Sequence, residues 1–156
     1  MTKYEELLDE AYQDGLYVIE RASFNSHAKG LINGDVIGLS KDIKTDAERG
    51  CILAEELGHY RTTSGNILDT SKVMNRKQEL RARVWGYQRI ITMDKLVAAY
   101  LKGCRNSYEI SKELEVTEEF FLEALRVFKQ KYYPYVQYKD YLIQFEPTFR
   151  IYNFVV

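Results

Sequence analysis

Carboxylate and imidazole side chains occur at helical spacing in residues 51–60, which read Cys-Ile-Leu-Ala-Glu-Glu-Leu-Gly-His-Tyr. Residues four apart on an α-helix project from the same face one turn apart, so Glu55 and His59 could bind one metal ion. Glu56 lies about 100° further round such a helix, where it could reach a water molecule on that ion without being a ligand. The spacing indicates two ligands and a general base for metal-assisted hydrolysis.

The segment differs by one residue from His-Glu-x-x-His, the helical motif in which both histidines bind zinc and the glutamate acts as base. Two neutral histidines and one carboxylate leave a divalent ion with a net charge of about +1, whereas a Glu55, His59 and carboxylate set leaves it near zero. A less positive centre acidifies water less, and an added oxygen donor favours harder metals. We therefore expect zinc, or another divalent metal such as manganese, and weaker zinc binding than at a two-histidine site.

A catalytic zinc site needs a third protein ligand and an open position. Glu79 is the candidate, because a second long helix would place it on a face with Ala82 and Gly86, where a neighbouring helix can approach closely. An acidic group on such a face calls for a positive partner. Arg83 at i+4 offers an alternative partner for Glu79 in an ordinary surface ion pair. The predicted site comprises three metal ligands and one base: Glu55, His59, Glu79 and Glu56.

Other residues that could bind a metal have simpler interpretations. His27 lies in a polar stretch between predicted strands, and we expect it to be exposed to solvent. Cys51 precedes His59 by two helical turns and is expected to be a small packed residue. Cys51 and Cys104 are too far apart in sequence for a metal-knuckle spacing, and two cysteines do not make a disulfide framework.

The composition is that of an ordinary globular protein. The chain has 156 residues, of which 46% are hydrophobic and 29% charged, with a net charge of −1. This balance gives no electrostatic basis for binding nucleic acid or an anionic membrane. The acidic N-terminus lacks the long apolar run of a signal peptide, and no stretch approaches a membrane span. The sequence predicts a cytoplasmic, reduced protein.

The sequence up to the motif predicts a helix followed by a small antiparallel sheet. An amphipathic pattern covers residues 2–13, and apolar runs at 16–20, 28–32 and 35–40 are typical of strands. Asn33-Gly34 is a strong hairpin signal between the last two runs. We expect a substrate to extend along the Val36–Leu39 strand as an added edge strand.

Two long helices follow in the prediction. Thr45, with Glu48 three residues later, is typical of a helix start, as is Asn75 with Gln78. The second helix is expected to run to about residue 100, with a break near residues 92–94. The buried stripes are predicted from helical periodicity. They are Ile52, Leu53, Leu57 and Tyr60 on the first helix, and Leu80, Val84, Tyr87 and Ile91 on the second.

The C-terminal part reads as a helix–turn–helix outline followed by a hairpin. Asn106 and Thr117 are candidate N-caps of two short helices, and residues 135–138 and 141–145 are predicted to pair. A recognition helix would place Glu118 and Glu119 against phosphates, with Phe120 and Phe121 as packing residues. For these two helices, a role in structural support or in contact with another protein is therefore favoured over DNA binding. The aromatic tail, residues 149–156, is expected to pack as a strand or to form a dimer contact.

Several segments together resemble the ImmA/IrrE-type metallopeptidases of phages and mobile elements. They read Gly-Leu-Ile, Gly-Asp-Val-Ile-Gly-Leu, Leu-Ala-Glu-Glu-Leu-Gly-His-Tyr, Thr-Thr-Ser-Gly-Asn-Ile-Leu, Asn-Arg-Lys-Gln-Glu-Leu-Arg-Ala-Arg-Val-Trp-Gly-Tyr and Tyr-Glu-Ile-Ser-Lys-Glu-Leu-Glu-Val-Thr-Glu-Glu-Phe. His59, Glu56 and Glu79 match the second histidine ligand, the base and the later helix ligand of that family. Glu55 stands where the common pattern has the first histidine.

The resemblance implies an α+β fold, with a mainly helical zincin-like core over residues 1–103. Residues 104–156 would then form the helical pair and hairpin packed on that core. The implied activity is cleavage, or triggered inactivation, of a helix–turn–helix repressor that silences a prophage or mobile element. Two other functions remain open: a catalytically inactive binding module that acts as an antirepressor, and, less favoured, a DNA-binding regulator.

Overall fold

The computed structural model describes residues 1–63 and 72–154, with side chains from residue 76 onward in the second stretch. These residues fall into two compact units, Met1–Ile90 and Ile91–Val156. The domain boundary expected from sequence, after residue 103, stays a prediction, because compactness does not test independent folding. The polar run at residues 62–66 is expected from sequence to end the motif helix. Residues 64–66 of that run and the tail residues 155–156 lie outside the described residues.

The first unit contains three helices and a three-stranded sheet. In chain order its elements are α1 (Lys3–Gln13), β1 (Tyr17–Ala22), β2 (Gly30–Asn33), β3 (Val36–Ser40), α2 (Asp46–Thr62) and α3 (Lys72–Ile90). Thr2 and Thr45 are the N-caps of α1 and α2, where each hydroxyl accepts a backbone N–H of the first turn. This unit buries an apolar core in which Leu7, Ile37 and Leu57 are fully enclosed.

The N-terminal sheet is mixed rather than antiparallel, which corrects the prediction. Its order is β1-β3-β2, with β1 parallel and β2 antiparallel to β3. The Asn33-Gly34 signal correctly identified the β2–β3 hairpin, although the two loop residues are Gly34 and Asp35. It carries no information about β1. Because β3 is the central strand, its backbone groups are used on both sides. The expected substrate edge at Val36–Leu39 is therefore wrong, and β2 is an edge strand among the described residues.

Small residues allow α2 and α3 to cross at very short distance. A Cβ atom placed on Gly58 would overlap the backbone carbonyl of Ala82, and one on Gly86 would lie 3.3 Å from the backbone of Ala54. Ala54 and Ala82 are fully buried. The close approach expected at the Ala82 and Gly86 face is thus confirmed, with the matching small residues on the motif helix itself.

Three details of the helix predictions were wrong. Asn75 lies inside α3, which begins at Lys72, so it is not an N-cap. Tyr60 and Leu80 are exposed by 38% and 54%, although periodicity placed them in the core. On α3 the packing face is the one with the small residues, and Leu80 lies off that face. The expected break is confirmed, since α3 ends at Ile90 and a new helix starts after Thr92.

The second unit consists of three helices and an antiparallel sheet. Its elements are α4 (Met93–Leu101), α5 (Ser107–Glu113), α6 (Glu118–Tyr132), β4 (Tyr135–Tyr138), β5 (Tyr141–Gln144) and β6 (Arg150–Asn153), with sheet order β4-β5-β6. Asn106 and Thr117 are N-caps as predicted. Phe121 is fully buried, whereas Glu118 and Glu119 are exposed. The expected hairpin is confirmed, and the tail adds β6 beside it.

The predicted α+β class is confirmed by this combination of helices and two small sheets. Among the described residues, no helix has both the length and the apolar character required to cross a membrane.

Gly58→Ala should destabilise the protein by about 1–3 kcal/mol, because the new methyl group overlaps the α3 backbone and forces the helices apart. Gly50→Ala is the matched control on the same helix, since its Cβ would meet Tyr4 only at 3.7 Å or more. That variant should be stabilised by up to about 1 kcal/mol through higher helix propensity. Denaturant unfolding measures both changes in the free energy of unfolding, and equal effects would contradict the close crossing.

Candidate metal centre

Helix α2 supplies three of the four candidate side chains. Glu55, Glu56 and His59 lie in its last two turns, and the backbone N–H of Thr63 closes the helix by donating to the His59 carbonyl at 3.1 Å. Glu55 and His59 are one turn apart on one face, as the sequence predicted. Glu56 lies on the adjoining face and points into the protein, where only 8% of the residue is exposed.

Helix α3 brings the fourth side chain to the same place. One ligand atom each from Glu55, His59 and Glu79 lies within 4.8 Å of the other two. The His59 Nε2 to Glu79 Oε1 distance is 3.4 Å. Two donors bound to one zinc ion at about 2.0–2.2 Å with tetrahedral angles are separated by roughly 3.3–3.6 Å. The separation of His59 and Glu79 matches that of two ligands of one zinc ion. The Glu55 oxygen lies within 4.8 Å of both, so the three donors make up a set that a divalent cation can bind, and their role as ligands stays a prediction.

The three candidate ligand side chains differ in how much of each is exposed to solvent. The side chain of His59 is 13% exposed, that of Glu55 33% and that of Glu79 47%. The imidazole is thus held by packing, whereas the Glu79 carboxylate reaches solvent. An ion could enter and exchange from the Glu79 side.

Glu56 is the most perturbed carboxyl group of the cluster. Burial, followed by repulsion from Glu55 and then from Glu79, raises its pKa to about 8. At neutral pH and without a cation the group is therefore mostly protonated. A base of this kind becomes ionised when positive charge is placed beside it, and the neighbouring three-residue cluster is a suitable place for that charge.

Glu55 has a cationic neighbour, Arg83, which sequence analysis had considered only as an alternative partner of Glu79. Arg83 Nε lies 3.5 Å from Glu55 Oε1. Burial raises the pKa of Glu55, while Arg83 counteracts the increase. The i+4 spacing from Glu79 did place Arg83 on the correct face of α3. The actual partner of Arg83 depends on how α3 packs against α2, and the i+4 spacing contains no information about that packing.

A groove of about 500 Å³ opens over the cluster. Its walls include Glu55, Glu56, His59 and Glu79 on one side and residues 28–32, which contain most of β2, on the other. Gly30 permits this arrangement, because a Cβ there would lie 2.6 Å from Ile52 Cγ2 and 3.1 Å from Glu56 Oε1. Sequence analysis missed this wall, although the glycine within a predicted strand was a signal of close approach.

The remaining candidates do not join the site. His27 is exposed and is absent from the lining of the groove. Cys51 is buried, as expected for a small packed residue, and neither Cys51 nor Cys104 forms a disulfide.

The metal-free protein should lose stability as the pH rises from about 4.5 to about 8, since folded Glu56 holds a proton that the unfolded chain releases. Glu56→Gln removes this loss. The free energy of unfolding of Glu56→Gln should exceed that of wild type at pH 8, and this difference should be about 2–4 kcal/mol greater than the difference at pH 5.

Asp9→Asn, a change at an exposed carboxylate of the same unit, is the control. Thermal or denaturant unfolding at both pH values, with chelator present, measures the difference. A gain independent of pH would refute the assignment.

Comparison with known protein families supports the chemistry that this geometry suggests. The family model Peptidase_M78, described as the IrrE N-terminal-like domain, matches residues 8–126. The match covers α2, α3 and all three strands of the sheet that borders the groove, and it extends over well more than half of the chain. No curated protein and no solved structure matches the chain significantly. The resemblance read from the sequence is confirmed: the chain belongs to the IrrE N-terminal-like peptidase family.

Proposed function

We propose that the protein is a metal-dependent endopeptidase of a phage or mobile element that cleaves a helix–turn–helix repressor and so relieves repression. The observation that carries the proposal is the convergence of Glu55, His59 and Glu79 within 4.8 Å, beside a buried carboxyl group at Glu56. Membership of a peptidase family supports the reaction class. The expected cytoplasmic location and the repressor partner belong to this proposal.

The side chains divide the chemistry among them. Glu55, His59 and Glu79 would hold a divalent cation, zinc or manganese, which when bound supplies a Lewis acid for carbonyl polarisation and for acidifying water. Glu56 accepts the proton of the attacking water as the new C–O bond forms. It then donates that proton to the amine as the C–N bond breaks. The raised pKa of Glu56 suits the second step, because a stronger base forms a protonated group that persists until the amine leaves.

Strand β2 offers a place for an extended substrate. Ser40 N–H donates to Lys29 O at 2.8 Å, which fixes the alternation of hydrogen bonds between β2 and β3. The backbone N–H and C=O groups of Gly30 and Ile32 therefore point away from β3. Both residues line the groove opposite the candidate base. A peptide added to this edge would lie beside Glu56, which favours an endopeptidase acting on an unfolded or extended segment.

A second candidate is an antirepressor that binds its repressor without cleaving it. Two observations favour it: glutamate replaces the first histidine ligand at position 55, and the pKa of Glu56 is about 8. The first lowers the Lewis acidity of a bound ion, and the second leaves only a minor fraction of Glu56 ionised at neutral pH. The same groove would then serve only to hold an extended segment.

Glu56→Gln separates these two functions. With the repressor of the host element and added zinc or manganese, wild type should produce two fragments, and Glu56→Gln should cleave at least about 100-fold more slowly. The variant should still bind the repressor. If derepression in cells survives Glu56→Gln unchanged, the antirepressor is correct and the endopeptidase is not. Glu119→Gln, at an exposed carboxylate outside the groove, should behave as wild type.

The ligand set is tested by metal binding rather than by activity. His59→Ala and Glu79→Gln should each weaken zinc binding by at least about tenfold, as loss of one of three ligands requires. Glu55→His should strengthen zinc binding relative to wild type and reduce the preference for manganese. Competition with a chromogenic chelator, started from metal-free protein, measures the affinities. No gain in zinc affinity in Glu55→His would argue against Glu55 as a ligand.

A further inference from the structure

Helix α3 presents two opposite charges to the motif helix, one turn apart. Glu79 faces His59, with 3.4 Å between its Oε1 and the imidazole Nε2. Arg83 faces Glu55, with 3.5 Å between its Nε and the carboxylate Oε1. The guanidinium thus lies beside the one residue at which this chain departs from the two-histidine motif.

The formal charge of the three candidate ligands differs by one from that of a two-histidine site. Two neutral histidines and one carboxylate sum to a formal charge of about −1, whereas one histidine and two carboxylates sum to about −2. The guanidinium of Arg83 is always protonated and contributes one positive charge. Glu55, His59, Glu79 and Arg83 together therefore return to the formal charge of a two-histidine site.

We propose that Arg83 is a positioning residue that pairs with Glu55 and compensates the extra carboxylate charge, so that the variant ligand set binds a divalent cation with the charge balance of a two-histidine site. The inference rests on the proposed cation site. A carboxylate has two oxygens with about four lone-pair directions, so Glu55 can accept from Arg83 and still offer a lone pair to an ion. Arg83 thereby also restricts the orientation of Glu55.

The pair is also placed to affect metal preference. The Glu55 and Arg83 side chains are 33% and 49% exposed, so water screens their attraction and the effect on the ion is moderate. Without Arg83 the cluster carries one more uncompensated negative charge, which attracts any dication more strongly. The gain should be larger for manganese than for zinc, because Glu55 released from Arg83 can offer both carboxylate oxygens, and manganese favours additional carboxylate oxygen donors.

Arg83→Gln should therefore raise manganese affinity by about three- to tenfold and zinc affinity by a smaller factor. Arg83→Lys keeps the charge and should stay within about twofold of wild type. Arg81→Gln is the matched control, since it removes the same charge from an exposed position roughly 200° away on α3. The measurement is chelator competition with zinc alone and manganese alone on metal-free protein. Circular dichroism verifies that each variant is folded.

A double-mutant cycle distinguishes pairing from general electrostatics. In the Glu55→His background Arg83 has lost its anchor, so Arg83→Gln should change manganese affinity by less than half the factor seen in wild type. Equal factors in both backgrounds, equal effects of Arg81→Gln and Arg83→Gln, or weaker binding in Arg83→Gln would each overturn the inference. Wild-type protein that binds neither metal would instead overturn the cation site itself, and with it both proposals.

Discussion

The crossing of α2 and α3 is the contact on which the site depends. Gly58 and Ala82 allow the two backbones to touch, and Ala54 and Gly86 extend the contact by one turn. Two helices separated by ordinary side chains lie about 8–10 Å apart, and short carboxylate side chains would then meet less readily. Here the crossing brings Glu79 into reach of His59. A glycine next to the motif histidine is therefore a structural requirement for the third candidate ligand.

Local signals in the sequence were sufficient for much of the fold. The threonine caps predicted at residues 45 and 117 are formed by hydroxyls that accept N–H groups three residues ahead, an interaction encoded within a few residues. The tight turn at Gly34-Asp35 likewise requires only the residues of the turn itself. Features that depend on distant partners were not readable: the parallel pairing of β1, the exposure of Leu80 and the pairing of Arg83 with Glu55.

The candidate site likewise combines features that local sequence predicts with features that depend on distant partners. Helical spacing alone placed Glu55 and His59 together, and the small-residue face of α3 indicated that Glu79 would lie nearby. Nothing in the spacing specified that β2 would form the opposite wall of the groove, or that burial would raise the pKa of Glu56. Both follow from how the sheet packs on α2, where Gly30 meets Ile52. Electrostatic properties of a cluster depend on that enclosure as much as on the identity of its residues.

The mixed sheet has a consequence for the order of folding. The β2–β3 hairpin joins neighbouring segments through a tight turn, whereas the parallel β1–β3 pair must first close the intervening chain of residues 23–35. Loop closure of that length costs more entropy than a hairpin turn, so the hairpin should nucleate earlier and β1 should dock later. Strand β2, which lines the groove, then belongs to the hairpin that forms early. Destabilising changes in β1 should accordingly accelerate unfolding more than they slow refolding.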